Sequence, residues 1–240
     1  MKPPERLIVA LDVDTEEEAL SLVDELRDVV GVFKIGMQLF DSAGPDIVRK
    51  ITRAGGRVFV DLKFHDIPNT VSAAARIITR LGAYMFNVHV AGGREMMRQT
   101  AKATLEEAGC LGISPPRVLG VTVLTSISEQ QLREDLKIQL GMEELVVEWA
   151  LMARECGLSG VVASPHEIAA IREACGPGFL IVTPGIRPVW ADKDDQQRIT
   201  TPAQAIQLGA DYIVIGRPIL RGKNRREAAM RIIEELEASI

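Results

Sequence analysis

The sequence has little of what marks membrane-bound, secreted or nucleic-acid-binding proteins. No stretch of its 240 residues approaches about 18 consecutive apolar residues, and residues 1–6 lack the apolar core of a signal peptide. There is no excess of positive charge, because 28 Lys and Arg stand against 33 Asp and Glu, a formal net charge of −5. This balance argues against partners such as nucleic acid or an anionic membrane. We therefore expect a cytoplasmic protein that binds neither nucleic acid nor membrane.

Cysteine is scarce, and the three cysteines form no C-x-x-C pair. Each of Cys110, Cys156 and Cys175 lies within one residue of a glycine, near the end of a predicted helix. This pattern is typical of small buried thiols and not of metal ligands or nucleophiles. The sequence therefore predicts no role in catalysis or metal binding for them.

Short apolar runs alternate with amphipathic helical stretches along the whole chain. The apolar runs are 7–11, 32–35, 58–62, 84–89, 118–124, 161–163, 180–182 and 212–215. The helical stretches, the first capped by Asp14 or Thr15, are 15–29, 45–53, 69–81, 94–108, 128–155, 165–174, 202–208 and 225–239, and 128–155 holds more than one helix. Such alternation indicates a parallel sheet with crossover helices, and eight units in 240 residues favour a closed (β/α)8 TIM barrel over an open sheet. No linker divides the chain, so residues 1–240 are predicted to form one catalytic domain.

Charged side chains end several of the predicted strands. Asp12, Lys34 and Asp61 follow the first three apolar runs, and Lys63 shares the strand face of Asp61 because side chains alternate with a period of two. A TIM barrel carries its active site at these strand ends, where closure points the side chains at a common centre. With Asp66 added, the alternating signs favour the charged forms of all these groups. The alternative is a purely structural network of ion pairs.

The loops after the last two predicted strands have the composition of an anion site. Pro184 and Arg187 follow the seventh run, and Gly216 and Arg217 follow the eighth. These loops are the usual phosphate site of the fold, where glycine allows close approach and arginine offers a planar fork. Arg187 is equally compatible with a plain surface position. Residues 187–198 show no periodicity and are interpreted as a mobile lid.

The remaining polar residues do not suggest a metal site. His65 is compatible with a general base and at least equally with a solvated loop side chain, whereas His89 and His166 are interpreted as structural. A metal would need several convergent carboxylates or imidazoles, whereas Lys34 and Lys63 occupy the predicted centre. We therefore expect no metal ion at this site.

At these residues the sequence resembles the orotidine 5′-phosphate decarboxylases of the bacterial type. Residues 61–70 read Asp-Leu-Lys-Phe-His-Asp-Ile-Pro-Asn-Thr and match the family signature D-x-K-x-x-D-I-P-x-T. The resemblance continues in chain order through residues 10–12, 34–36, 87–89, 123–126, 183–187, 195–196 and 215–218. It therefore spans essentially the whole chain.

The resemblance implies conversion of orotidine 5′-monophosphate to UMP and CO₂, the last step of pyrimidine synthesis, without metal or organic cofactor. It implies a homodimer in which each subunit contributes to its neighbour's active site. The implied catalytic residues are Lys63 as proton donor to C6, Asp61 beside the substrate carboxylate, Lys34, and Asp66 reaching the neighbouring site. The implied substrate-binding residues are Asp12, Lys34, Asp61, Ile67, Thr70, Thr125, Ser126, Pro184, Arg187, Gln196, Gly216 and Arg217.

Three other functions remain open at this point. A relative resembling 3-keto-gulonate 6-phosphate decarboxylase would need Mg²⁺ and an acidic ligand where this chain has Lys34. A Schiff-base aldolase would need Lys63 as a neutral amine, which the neighbouring carboxylates Asp61 and Asp66 disfavour. A barrel that binds sugar phosphates without catalysis would not need Asp61 and Lys63.

Overall fold

The computed structural model describes residues 1–191 and 200–239, and a closed barrel of eight parallel strands forms its centre. The strands are β1 (Leu7–Ala10), β2 (Val32–Gly36), β3 (Val58–Phe64), β4 (Met85–His89), β5 (Arg117–Val121), β6 (Gly160–Val162), β7 (Leu180–Thr183) and β8 (Tyr212–Ile215). Each strand pairs with the next along the chain, and β8 closes the barrel on β1. The predicted TIM barrel is confirmed.

Both faces of the barrel are buried, which explains why its strands are apolar runs without polar alternation. Successive residues of a strand contribute to two different clusters: Ile8 and Ala10 pack inside the barrel, whereas Leu7 and Val9 pack under the helices. The buried residues of the inner cluster are Ile8, Ala10, Val32, Phe59, Met85, Leu119, Val182, Tyr212 and Val214. Polar residues in register with this inner face therefore point toward the barrel axis.

Helices surround the barrel and connect its strands. They are α1 (Pro3–Arg6), α2 (Glu16–Leu26), α3 (Met37–Ala43), α4 (Asp46–Arg53), α5 (Pro68–Arg80), α6 (Gly93–Leu111), α7 (Glu129–Glu134), α8 (Met142–Glu155), α9 (Ile168–Cys175), α10 (Pro202–Gln207), α11 (Arg217–Leu220) and α12 (Arg225–Glu237). Short 3₁₀ turns, Val90–Gly92 and Pro165–Glu167, precede α6 and α9. Thr15 starts α2, since its hydroxyl accepts a hydrogen bond from the Glu18 backbone N–H at 3.2 Å. No helix in the described part of the chain is both long and apolar enough to cross a membrane.

The structure differs from the sequence prediction in several local details. The short helices α1, α3 and α11 were not predicted, whereas the helices predicted between residues 128 and 155 are present as α7 and α8. Strand β5 ends at Val121 and not at Leu124, because a turn begins there in which Ile127 N–H donates to the Leu124 carbonyl at 2.9 Å. Cys110 lies exposed within α6, so the prediction of a buried thiol was wrong for it and right for Cys156 and Cys175.

Two tyrosines close the amino-terminal end of the barrel. The hydroxyls of Tyr84 and Tyr212 are hydrogen bonded at 3.1 Å, and burial raises the pKa of Tyr212. The guanidinium groups of Arg57 and Arg117 lie 4.9 and 4.3 Å from the Tyr84 ring centroid. These contacts fill the floor of the barrel, and the polar groups described next lie at the opposite end.

Candidate active site

Four charged side chains meet at the carboxyl ends of β1, β2 and β3. Lys34 Nζ lies 3.4 Å from Asp12 Oδ1 and 3.4 Å from Asp61 Oδ2. Lys63 Nζ lies 2.8 Å from Asp61 Oδ1. The structure therefore brings together an array of alternating sign, in the order Asp12, Lys34, Asp61, Lys63. The side chains of Lys34 and Asp61 are only 12% and 14% exposed, so the centre of the array is largely shielded from water.

Lys63 reaches this array through an unusual backbone conformation. Its φ of 53° lies in the left-handed region, which non-glycine residues seldom adopt. The pairing of β3 with β4 also shifts register between Val60 and Phe64. Asp61 and Lys63 share a face as predicted, but regular strand alternation is not the reason, because the chain is irregular between them.

Asn87, on β4, contacts both Asp61 and Lys63. Its side-chain Nδ2 donates to Asp61 Oδ1 at 2.7 Å, and its Oδ1 accepts from the Lys63 backbone N–H at 2.8 Å. Asn87 is completely buried. No role was predicted for Asn87, although an amide at an inward-facing position of an apolar strand is a visible signal in the sequence.

Asp66, Ile67 and Thr70 lie outside the array of their own chain. All three are exposed, at the start of α5 and in the turn before it. Asp66 Oδ1 accepts a hydrogen bond from the Ile67 backbone N–H at 2.6 Å. Within this chain Asp66 makes no ion pair with Lys63, so the array ends at Lys63.

A cavity of ≈ 220 Å³ opens beside the charged array. Lys34, Asp61 and Lys63 form its charged side, and Thr125 and Pro184 also contribute to its wall. The remaining lining is apolar: Phe59, Val121, Val123, Leu124, Val162, Ala163 and Val214. Ser126 does not line this cavity and is exposed, since β5 ends early and the turn carries it outward. The cavity thus offers an apolar slot with ion pairs along one side.

A second cavity, of ≈ 200 Å³, lies between the loops that follow β7 and β8. Three arginines line it, namely Arg187, Arg217 and Arg221, together with Trp190, Ala191, Pro218 and Gly222. Arg187 is only 4% exposed, which excludes the surface position considered for it. Arg221 was not anticipated, because the short helix α11 that carries its neighbours was not predicted. Three guanidinium groups around one small cavity suit a phosphate group.

Gly216 allows the phosphate-side loop to approach the charged array. A Cβ atom at this position would lie 3.4 Å from Asp12 Oδ2 and 3.3 Å from the Cβ of Ala10. The absence of a side chain therefore lets β8 end directly beside Asp12 and joins the two halves of the site. Gln196, and with it most of the predicted lid 187–198, lies outside the described residues.

Two histidines stand next to the array without lining either cavity. The rings of His65 and His89 are 5.2 Å apart between centroids. Burial lowers the pKa of His89, and the nearby His65 and Lys63 lower it further. His89 is therefore neutral near pH 7, in line with a structural interpretation.

The donor set at the centre does not suit a metal ion. Within residues 1–191 and 200–239 there is no cluster of three or more His, Cys, Asp or Glu side chains that could hold one. Both oxygens of Asp61 already face lysine ammonium groups, at 2.8 Å and 3.4 Å. A cation at Asp61 would have to displace one of these lysines.

Comparison with known proteins gives a consistent result over the whole chain. Residues 5–232 match the family described as orotidine 5′-phosphate decarboxylase / HUMPS. The chain is 62% identical over 238 residues to the orotidine 5′-phosphate decarboxylase of Syntrophomonas wolfei, covering 99% of this chain and 100% of that protein. It is 52% identical to the Heliobacterium modesticaldum protein of the same name, covering 98% and 97%. The crystal structure of orotidine 5′-phosphate decarboxylase from Lactobacillus acidophilus has a TM-score of 0.85 at 39% identity, covering 96% and 98%. This chain belongs to the orotidine 5′-phosphate decarboxylase / HUMPS family.

Proposed function

We propose that the protein decarboxylates orotidine 5′-monophosphate to UMP and CO₂, the last step of de novo pyrimidine synthesis. The observation that carries this proposal is the array of Asp12, Lys34, Asp61 and Lys63, with the Lys63 ammonium 2.8 Å from Asp61. Family membership and the names of the relatives support the same reaction. We place the enzyme in the cytoplasm and assign residues 1–240 to one catalytic domain.

Lys63 is proposed to stabilise and then protonate the carbanion formed at C6. When the C6–CO₂ bond breaks, its electron pair stays on C6, where no adjacent carbonyl can accept the charge. An ammonium about 4 Å away contributes about 4 kcal/mol at an effective dielectric constant of about 20. The proton then moves from Lys63 Nζ to C6, leaving a neutral amine and UMP.

Asp61 is proposed to lie beside the substrate carboxylate. Two carboxylates in close contact repel each other, and this repulsion disappears as the neutral CO₂ leaves. The hydrogen bond from Asn87 and the two lysines hold Asp61 in place, so it cannot turn away from the substrate. The apolar lining of the cavity suits CO₂ better than it suits a carboxylate.

The two cavities account for the two ends of a nucleotide. The pyrimidine ring is proposed to occupy the apolar cavity, with Thr125 and Pro184 near its polar edge, whereas Ser126 lies outside the lining. The phosphate is proposed to bind Arg187, Gly216 and Arg217, and Gln196 is proposed to reach both base and phosphate. Asp12 and Lys34 lie between these two sites and are assigned to the ribose hydroxyls.

A homodimer with shared active sites is proposed from the exposed turn before α5. Ile67 is 66% exposed, and it lies between Asp66 and Thr70, which are also exposed. Ile67 and the half-buried Pro68 offer a small apolar anchor for a two-fold contact between identical subunits, as the family resemblance also implies. In such a dimer Asp66, Ile67 and Thr70 extend the neighbouring subunit's array.

Decarboxylation is expected to be unaffected by EDTA, since the ammonium groups of Lys34 and Lys63 already face both Asp61 oxygens. The measurement is the absorbance change of orotidine 5′-monophosphate, recorded before and after chelation. A requirement for added Mg²⁺ would transfer the protein to the metal-dependent 3-keto-gulonate 6-phosphate decarboxylase type. Tight UMP binding without any turnover would identify a non-catalytic binding barrel.

Arg217→Ala is expected to lower kcat/KM for orotidine 5′-monophosphate by about 10²-fold or more, because a charge-assisted hydrogen bond contributes up to about 3 kcal/mol. The kcat/KM for the phosphate-free nucleoside should fall only slightly, since this substrate has no phosphate group to contact Arg217. Arg225→Ala is the matched control, because Arg225 pairs with Glu25 at 3.4 Å and does not line the cavity. Equal losses on both substrates would place Arg217 outside phosphate recognition.

A further inference from the structure

Asn87 joins the two central groups of the site through one side chain. The amide is completely buried on the inner side of β4. It donates to Asp61 Oδ1 at 2.7 Å and accepts from the Lys63 backbone N–H at 2.8 Å. Asp61 Oδ1 also accepts from Lys63 Nζ at 2.8 Å. Asn87, Asp61 and Lys63 therefore form a closed set of three hydrogen bonds.

Chemistry fixes the orientation of this amide. A backbone N–H can only donate, so the oxygen of Asn87 must face Lys63. An ionised carboxylate can only accept, so the nitrogen of Asn87 must face Asp61. Aspartate, leucine and serine cannot supply both contacts in the same geometry at neutral pH, which makes asparagine specific at this position.

The hydrogen bond to Lys63 compensates for a break in the sheet. Pairing of β3 with β4 shifts between Val60 and Phe64, so the regular ladder is interrupted around Lys63. The Asn87 side chain supplies the acceptor for the Lys63 N–H in this interval. The left-handed backbone at Lys63 is unfavourable for a residue with a Cβ atom, and such conformations persist only where surrounding contacts hold them.

We propose that Asn87 is a positioning residue for the decarboxylation, which holds the Lys63 backbone in its left-handed conformation and fixes the Asp61 carboxylate against the substrate. The inference rests on the proposed function for its kinetic readout. Asn87 itself does not touch the substrate, because it does not line the cavity and has no exposed surface.

Asn87→Leu tests the proposal, since leucine has the same branched skeleton, although it is larger, and makes neither hydrogen bond. We expect kcat to fall about 10²-fold, as for a displacement of reacting groups by about 1 Å. KM and UMP affinity should stay near their original values, because the phosphate and ribose contacts are intact. Thr122→Val is the matched control: Thr122 is also buried and bonds the Val162 carbonyl at 3.1 Å, but does not contact Asp61 or Lys63. Unchanged kcat in Asn87→Leu, or an equal loss in both variants, would overturn the proposal.

Asn87→Asp adds a pH readout that a general loss of stability would not produce. At high pH the introduced carboxylate repels Asp61 and cannot donate to it. When protonated, the introduced carboxyl accepts from Lys63 N–H and donates to Asp61, as the amide does. The ratio of kcat in the variant to kcat in the original protein should therefore rise as pH falls. A ratio of kcat values that does not change with pH would contradict the proposal. This test does not depend on whether Asn87→Leu folds.

Hydrogen exchange separates this inference from the proposed function. The Lys63 amide should exchange faster in Asn87→Leu than in the original protein or in Thr122→Val, in the absence of any nucleotide. Absence of turnover in the original protein, with accelerated exchange in the variant, would reject the proposed function and retain the role of Asn87 in holding Lys63. Unchanged exchange would reject that role, whatever the activity.

Discussion

Lys63→Ala is expected to reduce kcat for orotidine 5′-monophosphate by at least about 10³-fold, while UMP still binds. The loss of about 4 kcal/mol of charge stabilisation alone gives this factor. Loss of the proton donor adds to it, since general acid catalysis contributes about 10²–10⁴-fold. UMP binding should persist, because the arginines around the second cavity remain. The measurements are steady-state turnover and UMP titration by calorimetry.

Lys137→Ala is the matched control for this variant. Lys137 is exposed and has a φ of 59°, so it shares the left-handed backbone of Lys63 but lies outside the cavity lining. Alanine at either position leaves the backbone strain in place, so differences between the variants report on the side chain. Retention of most activity in Lys63→Ala would remove Lys63 from the mechanism.

Mixing Lys63→Ala subunits with Asp66→Ala subunits is expected to restore activity to a quarter of all sites. Each parent dimer is defective at both of its sites. In a mixed dimer with shared sites, one site carries both defects and the other carries neither. Random exchange of equal amounts makes about half of the dimers mixed, and half of their sites are intact. The expected activity is therefore about 25% of that of the original protein, measured after mild dissociation and remixing.

A second mixture tests whether activity returns for a reason other than complementation between the two subunits. Lys63 and Lys34 lie in the same array, where both face Asp61 within one chain. Mixtures of Lys63→Ala and Lys34→Ala subunits should therefore stay inactive. Subunit exchange is followed by native mass spectrometry of differently tagged chains. The contrary outcome is that mixed dimers form while the activity of the Lys63→Ala and Asp66→Ala mixture stays equal to the sum of the two parent activities. In that case Asp66 acts in the active site of its own subunit.

The architecture followed from the sequence because the main physical signals were strong. A strand buried on both faces must be apolar throughout, and Leu7–Ala10 is completely buried. Barrel closure then brings the carboxyl ends of β1, β2 and β3 together, so the meeting of Asp12, Lys34 and Asp61 followed from topology. The roles of individual residues came from the family resemblance and not from these patterns.

The remaining features depend on local backbone geometry that periodicity does not report. The register shift in β3 gives no sequence signal, so neither the conformation of Lys63 nor its contact with Asn87 was predicted. The end of β5 depends on a turn at Leu124–Ile127, and the apolar pattern continues past the strand through Val123 and Leu124. Arg221 follows the four-residue helix α11, which is too short to show helical periodicity.

The conformation of Lys63 also explains why stability alone would not select a lysine at this position. Glycine adopts a positive φ without steric cost, whereas lysine at φ 53° forgoes about 1 kcal/mol of folding free energy. A barrel shaped only for stability would favour glycine here and an aliphatic residue at Asn87. The chain instead keeps a locally unfavourable residue at position 63, where the side chain lines the cavity. With the role proposed for Lys63, position 63 is a stability–activity trade-off, in which chemistry outweighs the intrinsic preference of the backbone.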